Sequence, residues 1–340
     1  MTISNIIDKF ENEDHKALIK NAYDFAKYRL EGKYHFSGKP LLDYWLDVVN
    51  ELFRFNVDYI IVMSAILYET INYGTDLREI EFIFGEDIRD IIYKLKRIND
   101  SEFYFDDARL MELYANMDRN NPCDFKTLFI KLGERFHHLK LIRECSDNNY
   151  KRMVADDTTE VLSPIAHKMG LTYLKSQLDD ICLECIEPDI YYYILNELTK
   201  TPEEVKKDVI HMKDDLASLL RENKIDVDFK WRVKNIMGIY KKLLRGKEFS
   251  DIYDIRGITI ITSDIYDCYR IFDIIASKYR VIPSEFKDYI AFPKENNYSA
   301  LHVCVCNDNN EKYEIQIKTK NMYKEAVASH YAYKLKKYEH

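Results

Sequence analysis

Glycine and proline are scarce in this 340-residue chain, nine and seven residues. That scarcity excludes collagen-like, low-complexity and turn-rich all-β architectures. No apolar run reaches the roughly eighteen residues of a membrane span. No basic, apolar leader opens the chain, so no membrane association and a cytoplasmic location are expected. Basic residues are outnumbered, 50 Lys and Arg against 58 Asp and Glu for a formal charge of −8. That balance argues against the broad basic surface that DNA or RNA binding needs. Seven cysteines form no framework. Cys182 and Cys185 make one Cys-x-x-Cys in a helical run, without the second pair of a structural zinc site. Cys304 and Cys306, two apart on one strand, cannot easily bridge each other. A reduced chain is expected.

What is present is a helix-rich globular composition, 46% hydrophobic, in a chain long enough for two domains. From Ile6 to about Leu198 apolar residues recur at three- and four-residue spacing, as in LDYWLDVVNELFRF and LFIKLGERFHHLKLI. Breaks fall at Ser37-Gly38-Lys39-Pro40, Asn72-Tyr73-Gly74-Thr75, Asn120-Asn121-Pro122 and Glu187-Pro188. His137 and His138 are adjacent, so on a helix they point about 100° apart and make no same-face ligand pair. By residues alone this half contains no convincing active site.

Thr201, followed by Pro202, opens a charged amphipathic helix running to about Lys224. The expected domains are therefore 1–198, all-helical, and 199–340, α/β. In the second, strands are expected at Ile225–Phe229 and Gly257–Thr262, and helices at Asn235–Leu244, Ile265–Lys278 and Met322–Lys337. Leu301–Cys306 and Tyr313–Thr319 alternate around an Asn-rich loop and read as an antiparallel hairpin. Together these form a sheet with flanking helices.

Three features of this half can carry chemistry. Glu314, Gln316 and Lys318 share one strand face, Ile315 and Ile317 the other; a solvated sheet face would look the same. Lys230, Arg232, Lys234, Lys241, Lys242, Arg245 and Lys247 crowd eighteen residues of an acidic chain. Asp254 precedes the apolar strand GITIIT, where either a turn residue or a metal-binding carboxylate is found. Two carboxylates for a metal, a basic cradle and the nearby Lys294, Asn296, Tyr298 and His302 suggest phosphoryl transfer on nucleotides.

Ordered motifs over nearly the whole chain resemble the RelA/SpoT homologue family, which makes and degrades guanosine tetra- and pentaphosphate. In the N-terminal half they are SGKPLLDYW, AILYETINYGT, FGEDIRDII, IKLGERFHHLK and SPIAHKMGL. In the C-terminal half they are WRVKNIMGIYKKL, FSDIYDIRGI, PSEFKDYIAFPKENNYSALHV, YEIQIKT and HYAYK.

For the first half the resemblance implies a helical HD-type metal-dependent hydrolase fold. The manganese ligands fall on Tyr44, Tyr68-Glu69 and Glu134, and the catalytic acid pair falls on Asn72-Tyr73. A phenol stays protonated up to about pH 10 and is a poor ligand for a hard cation. The expectation is a retained fold, no Mn²⁺ and no hydrolase activity.

For the second half it implies a nucleotidyltransferase-like synthetase that moves pyrophosphate from ATP to the 3′-hydroxyl of GDP or GTP. Asp254 and Glu314 would hold Mg²⁺, with Glu314 also taking the proton. Arg232, Lys234 and Lys242 would bind ATP, and Lys294, Asn296, Tyr298, His302 and Gln316 would bind GDP or GTP. Glu285, Lys287 and Asp288 mix the family's two acceptor signatures, which leaves the choice of GDP or GTP open.

Thr259 replaces an arginine usual in the family, and Arg256, three residues earlier, should face the other way. Asn297 stands where glycine is usual, in a turn it can tolerate. Contact with the ribosome is expected only through regions outside this chain. Two other readings compete: a guanine-nucleotide-sensing pseudoenzyme, and a pyrophosphokinase acting on an adenine nucleotide or a tRNA 3′ end.

Overall fold

In the computed structural model, residues 2–55, 57–99, 121–295 and 297–326 are described. The chain divides into two compact units, Met1–Pro188 and Asp189–His340. This puts the helix Pro188–Leu198 almost wholly with the second unit, ten residues before the division set from sequence.

The regular elements among the first unit's described residues are helices, apart from one isolated bridge between Tyr34 and Pro40. Its helices are α1 (Ile3–Ile7), α2 (Glu13–Arg29), α3 (Leu41–Leu52), α4 (Tyr59–Leu67), α5 (Leu77–Phe84), α6 (Glu86–Asn99), α7 (Pro122–Ile142), α8 (Asn148–Asp157), α9 (Ser163–Lys168) and α10 (Thr172–Ile186). The local starts are legible. Asn12, Asp58, Asp76, Asn121 and Asp147 each accept a backbone N–H as N-caps, satisfying a donor the helix leaves orphaned. Gly74 ends the short Tyr68–Tyr73 turn at φ +93°, a left-handed position that suits glycine. Trp45, Val48, Val49, Leu67, Ile91, Leu128 and Leu132 lie in one buried cluster. No described helix is long and apolar enough to cross a membrane.

The second unit opens with α11 (Pro188–Leu198) and α12 (Pro202–Glu222). Thr201 caps α12 in a reciprocal box with Glu204. Then come β1 (Asp228–Val233), α13 (Ile236–Leu243), β2 (Arg256–Thr262), α14 (Ile265–Lys278), β3 (Arg280–Val281), β4 (Lys287–Asp288), β5 (Leu301–Cys306) and β6 (Lys312–Thr319). A helix begins at residue 320; the rest of the expected closing helix, with HYAYK, lies outside the described residues.

The described strands form one mixed sheet in the order β1-β2-β6-β5-β3, with β4 also paired to β5. The β2/β6 pair is parallel and the others antiparallel. The first strand is Asp228–Val233, not Ile225–Phe229: Ile225 is buried in the turn after α12, bonded back to the Leu220 carbonyl, and pairing starts only where Asp228 meets Ile261.

Alternation gives the sheet two different faces. Ile258, Ile260, Val303, Val305, Ile315 and Ile317 pack against Val209, Met212, Leu216 and Leu220 of α12 and Cys268, Ile271 and Ile275 of α14. The opposite face is polar and carries the candidate site. Ile315 is fully buried at the centre of this core. Ile315→Ala should cost about 2–5 kcal/mol, read as a lowered urea midpoint at unchanged slope.

Candidate functional site

Strand register assembles the polar face in rows. Arg232, Gly257, Glu314 and Cys304 lie side by side in one row. Lys230, Thr259, Gln316, His302 and Lys287 make the next. Asp254 sits in the short turn feeding β2, three residues before Gly257, so parallel pairing brings it to the edge of the row that holds Glu314.

Asp254 is buried and surrounded by cations. Lys242 Nζ donates to Oδ1 at 2.8 Å, Lys234 Nζ lies 3.0 Å from Oδ2, and Arg232 Nη2 lies 3.9 Å from it. Burial pushes the Asp254 carboxyl up, but the Lys242 hydrogen bond and the Lys234 charge outweigh it and hold it below its ordinary value. Burial also lowers Lys234, against the pull of Asp254. Lys234 lies just before α13 and Lys242 in its last turn, so the two ends of one short helix bring both to Asp254. Asn235 caps that helix, accepting the Gly238 N–H.

Glu314 heads a chain of hydrogen bonds. His302 Nδ1 lies 3.3 Å from Oε1, and Gln316 Nε2 donates to Oε2 at 3.0 Å. Burial again opposes ionisation. The contacts with His302 and Gln316, with Arg232 nearby, win and hold Glu314 at about 2. Tyr298 Oη lies 2.8 Å from His302 Nε2 and donates to Gln316 Oε1 at 3.2 Å. Lys318 Nζ donates to both Tyr298 Oη and Gln316 Oε1 at 3.1 Å. Lys318 is buried, and burial pulls its ammonium down to about 8 despite Glu314. Cys304, opposite Glu314, is 3% exposed, and burial pushes its thiol up to about 12.

Lys294 Nζ stands 4.5 Å from the Tyr289 ring centre and 5.3 Å from that of Tyr298. Asn297 adopts φ +60° in the turn between them, the left-handed geometry that asparagine tolerates. Asn296 lies outside the described residues.

Arg232, Lys234, Lys242 and Asp254 thus meet in one cluster, and Tyr298, His302, Glu314 and Gln316 in a second beside it. The acceptor-loop residues separate. Lys287 shares the row of His302 and pairs with Glu285 at 3.4 Å. Asp288 points to the helix side, accepting Ile290 N–H, Ala291 N–H and Tyr269 O–H at 3.0, 2.8 and 3.0 Å; its carboxylate shapes a turn. Arg256 also faces the helix side, 3.3 Å from Glu311 and 3.6 Å from Asp208. Tyr289 and the anchoring role of Lys318 were not drawn from the sequence. For Lys318 the signal was its place on the face of Glu314; for Tyr289 there was none.

Mg²⁺ is commonly held by one or two carboxylates completed by substrate phosphates. Asp254 and Glu314, both kept ionised, fit that need.

The positions matched to a hydrolase metal site in the first unit do not fit Mn²⁺. Tyr44 is buried and its ring stacks on His35 at 3.9 Å. Burial, with Glu134 and Glu69 nearby, raises its phenol well above its usual range. Tyr68 Oη accepts from Asn99 at 2.7 Å. Glu69 is pushed up by burial and accepts from Asn72 at 2.8 Å. Lys131 Nζ lies 3.0 Å from Glu134, and Tyr73 is exposed. His138 bonds Tyr150, and burial holds it at about 3; His137 turns elsewhere, edge-on to Tyr44. Neutral phenols, an elevated carboxyl and an ammonium are the wrong donors for a hard divalent cation.

Residues 231–338 match the region found in RelA/SpoT proteins, and residues 22–172 match the HD domain. A GTP pyrophosphokinase of Myxococcus xanthus is 27% identical over 93% of this chain and 43% of its own length. A guanosine-3′,5′-bis(diphosphate) 3′-pyrophosphohydrolase of Aquifex aeolicus is 30% identical over 94% of this chain and 46% of its own. The chain spans about half the length of these curated relatives. The solved small alarmone synthetase 2 of Bacillus subtilis is 32% identical over 40% of this chain and 82% of its own, with a TM-score of 0.35.

Glu314 also sets a pH dependence. Its folded value of about 2 lies below the ordinary 4.5, so its stabilising contribution is complete above 4.5 and is lost as pH falls toward 2. Glu314→Gln should therefore flatten the acid limb of an unfolding-midpoint-versus-pH profile over that window. An unchanged limb would show that Glu314 is not held in this way.

Proposed function

We propose that this chain, which carries the RelA/SpoT region and an HD domain, is a RelA/SpoT homologue whose second unit transfers the β,γ-pyrophosphate of ATP to the 3′-hydroxyl of GDP or GTP. The 3′-oxygen attacks the β-phosphorus, the bond from that phosphorus to the bridging oxygen of the α-phosphate breaks, and AMP leaves. One observation carries the reading: two ionised carboxylates on one sheet face, one inside a cradle of three cations and the other inside a Tyr–His–Gln–Lys network.

Asp254 and Glu314 would hold Mg²⁺, which would supply charge neutralisation and alignment of the phosphates. Arg232, Lys234 and Lys242, which neutralise Asp254 in the free protein, turn to the donor phosphates as bidentate and point-charge partners. Tyr298 offers its ring to guanine. Stacking of this kind is worth about 1–3 kcal/mol per base in nucleic-acid complexes. Lys294, Asn296, His302 and Gln316 orient the acceptor. At about 2 Glu314 is a good metal ligand and a weak base; it takes the 3′-proton only once substrate anions raise its basicity. Lys287 and Glu285 border the acceptor side.

The first unit is read as an HD-type scaffold without hydrolase activity, because its donors suit no Mn²⁺ and the acid pair is Asn72-Tyr73.

Incubation with ATP, Mg²⁺ and GDP or GTP should yield AMP and a guanosine polyphosphate. Asp254→Ala and Glu314→Ala should each lower turnover by about a hundredfold or more; full activity in both variants overturns the assigned site. With Mn²⁺ and guanosine tetraphosphate, no pyrophosphate should be released, and measurable release overturns the scaffold reading.

A further inference from the structure

The donor side of the site has a charge gap. Thr259 lies at the centre of the polar face, between β1 and β6, and brings no charge to the row it occupies. Of the cations nearest to it, Lys234 and Lys242 are held on Asp254, with Arg232 beside them, and Lys318 is held under Tyr298 and Gln316. Among the described residues the other cations of these strands are engaged as well: on β2 Arg256 pairs with Glu311 and Asp208, and on β6 Lys312 donates to the Ser250 carbonyl. Lys230 is the residue of the edge strand β1 directly paired with Thr259. Register puts its side chain on the same face of the sheet as Thr259, Gln316 and Glu314. It is exposed and has no ion-pair or hydrogen-bond partner among the described residues. It also lies two residues from Arg232 on one strand, so the two side chains project the same way, about 7 Å apart along β1. Thr259 carries a short side chain between the two strands.

We propose that Lys230 is a donor-binding residue, whose ammonium reaches over Thr259 to the phosphates of ATP and supplies from the neighbouring strand the charge that β2 lacks. This rests on the pyrophosphokinase reading and adds a residue to it. Because Lys230 has no carboxylate partner among the described residues, it does not have to release one before binding an anion, as the Asp254 trio does. It therefore acts on capture of ATP more than on the chemical step.

The test uses the full chain and two readouts. One is the dependence of rate on ATP at saturating acceptor; the other is calorimetric binding of the non-transferable analogue α,β-methylene-ATP with Mg²⁺. Lys230→Ala should raise KM for ATP and the analogue Kd by about tenfold, the effect of one partly exposed charge-assisted contact. KM for the guanosine acceptor should stay within about twofold. Lys230→Arg should bind nearly as wild type. Thr259→Arg in the Lys230→Ala background should recover most of the loss, because it places a cation in the same row. The proposal is overturned if Lys230→Ala leaves the analogue Kd within about twofold of wild type, or if Thr259→Arg improves binding equally with and without Lys230. Wild-type protein that binds the analogue but forms no AMP overturns the pyrophosphokinase reading instead, and the binding arm still decides on Lys230.

Discussion

The parallel pairing of β2 with β6 is the constraint on which the candidate site depends. Parallel neighbours cannot be joined by a tight turn, so the chain must leave β2, cross over through α14, and return through β3, β4 and β5 before β6 can form. The reward is a register in which Gly257 meets Glu314. That register brings the turn holding Asp254 alongside the strand holding the second carboxylate, although sixty residues of sequence separate them. Shifting it by one residue would turn Glu314, Gln316 and Lys318 into the apolar core and bring Ile315 and Ile317 to the polar face. The buried isoleucines therefore fix the position of the polar residues as firmly as any hydrogen bond among them.

Much of this was readable from the residues. The hairpin from Leu301 to Thr319 was legible because one apolar face is set against one polar face, and α12 and α14 because caps and periodicity agree. The start of β1 was misplaced: Ile225, Val227 and Phe229 alternate, yet backbone pairing is limited by where β2 lies. Two-residue strands such as β3 and β4 are too short to show a period. Side-chain partnerships were harder still. Nothing local reveals that Asp288 spends its carboxylate on Tyr269 and two backbone amides, or that Lys318 ends up beneath Tyr298. Such contacts are set by tertiary approach, which no sequence spacing encodes.

The two units illustrate different fates for buried polar groups. In the first, Tyr68, Asn99, Lys131 and Glu134 are linked in a line by three hydrogen bonds. In the second, Asp254 and Glu314 are held below their ordinary values by neighbouring cations and hydrogen-bond donors on a polar face. A group paired for structure and a group paired until something better arrives can look alike in sequence; burial and the number of replaceable partners separate them.

The thiol of Cys304 sits across from Glu314, inside the polar face yet sealed from solvent. Desolvation and the neighbouring negative charges keep it protonated far above cellular pH, and it is the thiolate that reacts with peroxides and alkylating agents. The centre therefore contains sulfur without being a redox sensor. Oxidants and alkylating agents that act through an exposed thiolate have no point of attack at Cys304.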